Sequence, residues 1–285
     1  MRKSKTWPDD LLAVLTRLTA LTVLTAQLTG CAGQLAEVAP RSAEGPAMDL
    51  ARGLYFRSES LQTMAARGAV SHESGRRRTF FRFEVLVLKP DRLLFTAFGP
   101  AGQPAFRLAA ADGRLHGLLY GARQYFTGPA TAENFARILR LNLNLDQLVA
   151  LLSGSTARPA AAGARAVGDN TELILVPAES PDDERKLWRL KLGGDLDQNP
   201  EQAVILTAAR GPANRPDLSI RYPAVQNLPR EDKPGILTPF PTSVEAQWAK
   251  QFLRLTYEEV NLGPKLDPSL FVLTPPEGFE MVFLP

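Results

Sequence analysis

The sequence predicts a mainly β, α+β domain in which about eleven antiparallel strands form one sheet and two or three helices cover a face of it. Three observations predict this. Apolar and polar residues alternate along most of the chain after residue 65, the period of a half-buried strand. The first of these runs are separated by only two to six residues, which suits antiparallel hairpins, because parallel strands need long crossovers. The 23 prolines in 285 residues disfavour long helices and coiled coils and favour many turns.

Composition excludes several function classes. With 45% apolar and 22% charged residues, the chain is not disordered by composition and can bury a full core. One cysteine rules out a disulfide framework and a cysteine-based zinc site. Two histidines, His72 and His116, leave little material for a metal centre, and no cofactor is expected.

Taken in chain order, the elements begin with an address. Met1-Arg2-Lys3-Ser4-Lys5 is a positive n-region, and Leu18 to Gln27 is an apolar run of h-region length. A membrane-spanning helix needs about 20 apolar residues, so this run is too short to be one. It ends in Leu28-Thr29-Gly30-Cys31, which resembles a bacterial lipobox. The resemblance implies cleavage before Cys31, which then carries a diacylglycerol on sulfur and a further acyl chain such as palmitate on its amine. Residues 1–30 are therefore expected to be a lipoprotein signal peptide, and residues 31–46 an acylated N-terminus and tether. Ala32, in place of aspartate, points to the outer membrane under the enterobacterial sorting rule, with the protein lipid-anchored on the periplasmic side. The leader holds four basic residues (Arg2, Lys3, Lys5, Arg17) and two acidic ones (Asp9, Asp10). Its removal lowers the formal charge from +3 to +1, so membrane attraction has to come from lipid and local patches.

Residues 47–285 are expected to form a single domain. Leu50, Leu54, Leu61 and Met64 give a first helix, roughly Met48 to Met64. Strands follow: Phe81, Phe83, Val85 and Val87 share one face, Leu93, Phe95 and Ala97 another run, and Phe106 and Leu108 a third. Leu115 to Tyr120 and Gln124 to Phe126 add two more. Lys89-Pro90-Asp91, Gly99-Pro100-Ala101-Gly102 and Ala111-Asp112-Gly113 carry turn chemistry. Thr131 and Asn144 are candidate N-caps of two helices, the second stopping at Gly154. Thr156 to Gly168 reads as a loop. Further strands are expected at Glu172–Val176, Lys186–Leu192, Ala203–Ala208, Leu218–Tyr222, Ser243–Trp248 and Phe252–Val260. Pro223 to Pro241, with five prolines, reads as a long connecting loop.

This order of parts resembles the LolA/LolB family of bacterial lipoprotein carriers and insertases. The likeness is carried by Pro100-Ala101-Gly102, Asp112-Gly113, Tyr125, Phe135 to Leu139 and Leu148 to Gly154. It continues in a C-terminal Phe271, Pro276 and Gly278 resembling the ending of the carrier branch. It covers most of residues 58–285 and consists of pattern and order. It implies an open antiparallel half-barrel whose helices close an apolar, acyl-chain-binding space. The expected lining is Phe81, Phe83, Val85, Leu93, Phe95, Phe106, Leu108, Trp188, Leu190, Trp248, Leu253 and Leu255. Periodicity does not distinguish such a cavity from a filled core. In LolB-type proteins a leucine in the turn at Phe98, Pro100, Ala101 and Gly102 is thought to enter the bilayer. Here that place holds Ala101, which has little apolar surface to bury.

The resemblance thus implies a receptor or insertase in lipoprotein localisation, partnered by the membrane, lipoprotein acyl chains and a periplasmic LolA-type carrier. The alternative is an envelope assembly or interaction module of the same fold without lipoprotein transfer. A monomer is expected. No enzyme is expected, because the sequence holds no Gly-x-Ser-x-Gly, His-Glu-x-x-His or phosphate-binding glycine loop. His72 reads as a solvated turn residue and His116 as a partly buried strand residue. Arg76-Arg77-Arg78 reads either as a solvated hairpin turn or as a contact for anionic headgroups. No aromatic residues interleave with a basic groove, so nucleic acid is not an expected partner.

Overall fold

A computed structural model describes residues 46–155, 165–167, 172–176, 183–194 and 203–285. The expected signal peptide, Cys31 and the expected tether up to residue 45 lie outside the described residues, as does the expected loop at 156–168 apart from 165–167, which is a strand. The described elements are α1 (Pro46–Ser60), β1 (Thr63–Ser74), β2 (Arg77–Leu88), β3 (Arg92–Phe98), β4 (Pro104–Ala111), β5 (Arg114–Leu119) and β6 (Gln124–Pro129). Next come α2 (Ala132–Leu139), α3 (Leu145–Ser153), β7 (Arg165–Val167), β8 (Glu172–Val176), β9 (Trp188–Gly193) and β10 (Val204–Arg210). The chain ends with β11 (Leu218–Pro229), β12 (Leu237–Trp248), β13 (Gln251–Leu262) and β14 (Glu280–Phe283). No helix among the described residues is long and apolar enough to cross a membrane.

The strands form one open sheet of fourteen, ordered β14-β6-β5-β4-β3-β2-β1-β13-β12-β11-β10-β9-β8-β7. The expected fold class stands, with more strands than the eleven expected. Consecutive hairpins build each half, and the β1–β13 pairing joins them. One pair departs from the antiparallel rule: β14 adds to β6 in parallel, after a crossover long enough to permit it.

Local chemistry explains the boundaries. Asp112 and Gly113, at φ 51° and 73°, form the two-residue loop between β4 and β5, a turn that demands positive φ at both places. The Thr131 hydroxyl accepts from the Asn134 amide and starts α2. Asn144 and Gln147 form a reciprocal capping box on α3, and Gly154 ends that helix at φ 61°. At a register shift between Arg67 and Gly68, β1 and β13 come so close that a Cβ on Gly68 would lie 2.0 Å from the Thr256 carbonyl oxygen.

Three expectations are corrected. The first helix ends at Ser60, and Met64 belongs to β1. Pro223 to Pro241 is a hairpin, not a loop: β11 pairs with β12 from Leu218↔Trp248 to Pro229↔Leu237. The ladder tolerates its prolines because β10 pairs with β11 only as far as Arg221, and β13 pairs with β12 only from Ser243. Among the described residues the outer edges of this ribbon carry no ladder, so the missing N–H groups break none there. His72 lies in β1, not in a turn, and is partly buried.

One apolar core joins the sheet's inner face to all three helices. Leu50 and Leu54 of α1, Phe135 of α2 and Leu148, Leu151 and Leu152 of α3 share it with side chains of β1 to β5 and β8 to β13. A smaller core lies on the opposite face of β3 to β6. There Leu94, Ala109 and Leu118 are covered by Phe271 and Leu273 of the C-terminal segment.

Candidate acyl-binding face

All twelve apolar residues singled out in the sequence lie on the inner face, in or against the helix-covered core. Cross-strand register places them in rows. Leu108, Phe95 and Val85 form one row, and Phe106, Ala97 and Phe83 the next. Phe81 then aligns with Val70, Leu255 and Val244. Leu253 aligns with Ala246, Ile220, Ala208 and Leu190. The last row brings Trp248, Leu218, Arg210 and Trp188 together.

Burial divides the twelve into two sets. Phe83, Val85, Leu93, Leu108, Leu190 and Leu255 are buried. Phe81, Phe95, Phe106, Trp188, Trp248 and Leu253 are half-buried. With the exception of Phe95, the second set sits on rows near the tips of the β1–β2, β3–β4 and β12–β13 hairpins, where Phe83, Leu190 and Leu255 on the same rows stay buried. The inner face is therefore packed at depth and leaves apolar surface accessible at this rim. Ile138, Leu139 and Leu141, also half-buried, line the helical side of the same core.

Hydrogen bonds fix the covering helices. The buried hydroxyls of Tyr222 and Tyr257 donate to the Leu151 and Leu152 carbonyls at 3.2 and 2.6 Å, which satisfies orphan acceptors at the end of α3. Burial pushes both phenols well above their usual range. The Trp248 indole N–H donates to the Arg140 carbonyl at 2.8 Å, and Arg210 donates to the Asn142 carbonyl at 2.9 Å. These two bonds moor the α2–α3 connection over the rim. Arg210 also lies 5.9 Å over the Trp188 ring.

A second, polar place lies at the C-terminal ends of α1 and α3. Arg57 donates to the Ala203 carbonyl, and Lys89 to the Ser58 carbonyl and hydroxyl. Burial lowers Arg57 to about 10 and Lys89 to about 8, although Glu59 and Asp146 pull Lys89 the other way. Cations there complement the helix ends. The adjoining cavity, lined by Arg57, Lys89, Ser153 and Phe240 among others, measures about 20 Å³, room for a water and not for an acyl chain.

Both histidines have ring and hydrogen-bond partners. His72 stacks on Trp248 at 6.2 Å, and its Nε2 lies 2.9 Å from the Gln251 amide oxygen. His116 is partly buried, as expected, on the outer face. Its Nδ1 lies 2.7 Å from the Tyr125 hydroxyl, which donates to the Leu273 carbonyl at 2.9 Å. The same Nδ1 lies 3.2 Å from the Thr127 hydroxyl. Burial, then Arg114, lowers the His116 pKa. The network ties the C-terminal segment to β5 and β6. Among the described residues no group of three or more His, Cys, Asp or Glu could hold a metal ion.

The expected membrane-facing turn is exposed at Pro100, Ala101 and Gly102, with Phe98 half-buried behind it. The sequence reading missed Tyr222, Tyr257, Phe135 and the helical leucines as parts of this face. Continuing the Leu253, Leu255 alternation by one step reaches Tyr257, so that signal was present.

No family model matches the sequence, and no curated protein matches it. Solved structures do share the fold. A DUF1329 family protein from Desulfovibrio piger matches at TM-score 0.56 and 13% identity, over 80% of this chain and 98% of that one. A domain described as a candidate outer membrane lipoprotein-sorting protein from Vibrio parahaemolyticus matches at TM-score 0.53 and 9% identity, over 79% and 95%. A LolA superfamily protein from Nitrosomonas europaea matches more weakly, at TM-score 0.48 and 13% identity, over 78% and 97%. At these identities the likeness is one of fold.

Proposed function

We propose that the protein is a lipid-anchored receptor of the cell envelope that takes acyl chains of lipoproteins onto its inner sheet face and passes them to the outer membrane. The observation that carries this reading is the set of half-buried apolar side chains at one rim of a helix-covered face. Burial of an acyl chain there removes apolar surface from water on both partners, at roughly 25 cal/mol per Å². The packed depth supplies a rigid floor, and the connection moored by Trp248 and Arg210 marks where the covering helices meet the rim. Transfer needs no covalent chemistry: a chain moves from a LolA-type carrier to this face when burial here is the more favourable. In this reading the protein is a monomer, not an enzyme, anchored through Cys31 on the periplasmic side. The lipoprotein-sorting description of the Vibrio domain supports the same assignment.

A second reading, an envelope assembly module without lipoprotein transfer, is favoured by one feature. The exposed β3–β4 turn presents Ala101, which has little apolar surface with which to enter a bilayer. Transfer of a labelled lipoprotein from a LolA-type carrier to the acylated protein in vesicles separates the two. The receptor reading expects the label to leave the carrier and reach the vesicle only when this protein is present. Retention of all label on the carrier contradicts it and favours the assembly module.

A further inference from the structure

We propose that the tip of the β1–β2 hairpin is a docking surface for an anionic phospholipid bilayer. The inference stands apart from acyl binding, because it rests on a different set of residues and holds whether or not the inner face takes a ligand.

The hairpin projects. β2 pairs with β3 only from Arg82↔Phe98 onward, so Arg77 to Phe81 have no partner on that side among the described residues. On the other side β1 runs beside β13 as far as Ser74↔Gln251, which sets the β12–β13 turn, with Lys250, level with the tip. At about 3.3 Å per residue, the free part of β2 extends roughly 16 Å past its β3 neighbour.

The tip is cationic. Arg76, Arg77, Arg78 and Lys250 are all exposed. The acidic side chain among them is Glu73, paired with Arg78 at 3.3 Å. Arg82, the next cation down the strand, faces Glu258 at 3.9 Å. Arg76, Arg77 and Lys250 form no ion pair among the described residues. The formal charge of the mature chain is small, so this concentration is local and is not a general feature of the surface.

The tip is also apolar in the manner of an interfacial anchor. Phe80 is 69% exposed on the outer side of the hairpin, although its neighbours Phe81 and Phe83 turn inward to the core. A large exposed ring costs solubility unless it finds an apolar phase, and one flanked by three arginines matches the headgroup–acyl boundary of a charged membrane. Positive charge attracts the anionic surface, and the ring sits where headgroups give way to chains. Phe81 lies on the same strand, so docking sets the rim of the inner face against the bilayer.

The test uses the chain from residue 31 onward with Cys31→Ser, so that neither leader nor acyl group attaches it. Flotation is measured with phosphatidylcholine vesicles and with vesicles that also contain phosphatidylglycerol. The protein is expected to float with the second and not the first, and salt is expected to release it. With each arginine contributing about fivefold, the Arg76→Ala, Arg77→Ala, Arg78→Ala triple variant is expected to bind roughly a hundredfold more weakly. Phe80→Ser is expected to weaken binding by a smaller, salt-insensitive factor. Both variants alter exposed residues, and far-UV circular dichroism checks that they fold. Equal binding to both vesicles, unchanged binding by the triple variant, or failure to bind either vesicle overturns the proposal, the last even if the tip captures an acidic protein instead. Acyl-chain binding in solution can fail without touching this result.

Discussion

Phe83→Ala is expected to destabilise the protein by about 3–5 kcal/mol, while Phe81→Ala, two residues away on the same face, is expected to cost about 1 kcal/mol. The contrast follows from the division of the inner face. Phe83 is 1% exposed and packs between Phe95, stacked at 5.7 Å, and Tyr257, edge-on at 5.7 Å. Its removal leaves a cavity that rigid neighbours cannot fill, because Tyr257 is held by the end of α3 and Gly68, beside it, lies against β13. Phe81 is half-buried at the rim, so its loss forfeits part of a transfer term and leaves no enclosed void. Urea unfolding of the two variants measures both numbers. Equal costs would mean that the rim is packed like the interior.

Asp232→Ala is expected to cost about 3 kcal/mol, the penalty for leaving a buried cation unpaired. Arg230 is the cation. Its side chain is 2% exposed, and it donates to both carboxylate oxygens of Asp232 at 2.9 and 2.5 Å and to the Ser60 carbonyl at 2.6 Å. This fork clasps the start of the β11–β12 turn to the end of α1 and so fixes the entry of the chain into β1. Asp232 itself is partly exposed, which moderates the loss. The pair also sets a pH dependence. The hydrogen bonds from Arg230, with its charge, hold the Asp232 carboxyl below its ordinary 3.8. A carboxyl with a depressed folded pKa contributes stability that is fully present above the unfolded value and disappears as pH falls through the folded one. Acid titration of stability below about pH 4 is therefore expected to be shallower in Asp232→Asn than in the parent. Parallel titrations would place the acid-labile contact elsewhere.

Much of the architecture is legible in the residues. Alternation located β2 to β6 and β8 to β13, because each has one wet or differently packed face. Thr131, Asn144, Gly154 and Asp112-Gly113 marked ends that caps and turns require. The Pro223–Pro241 stretch was not legible, because proline counts report missing donors but not which strand edge faces away from a neighbour. β14 was hidden for a related reason: four residues joining a sheet edge in parallel leave no periodic trace. The candidate face was legible as a list, since all twelve residues share it. Its division into packed depth and open rim was not, because Phe81 and Phe83 look alike in sequence and differ only in what lies across the strands. His72 was misread because the length of β1 is set by its pairing with β13, nearly two hundred residues away.

The central claim is that the inner face accepts an acyl chain at its half-buried rim. Titration of the chain from residue 31 onward with a fluorescent fatty acid tests it directly. Saturable binding is expected, strongly reduced by Leu253→Asp at the rim and unchanged by Val272→Asp on the exposed C-terminal segment, with circular dichroism confirming that both variants fold. Absence of saturable binding, or equal binding by Leu253→Asp and the parent, would contradict the account.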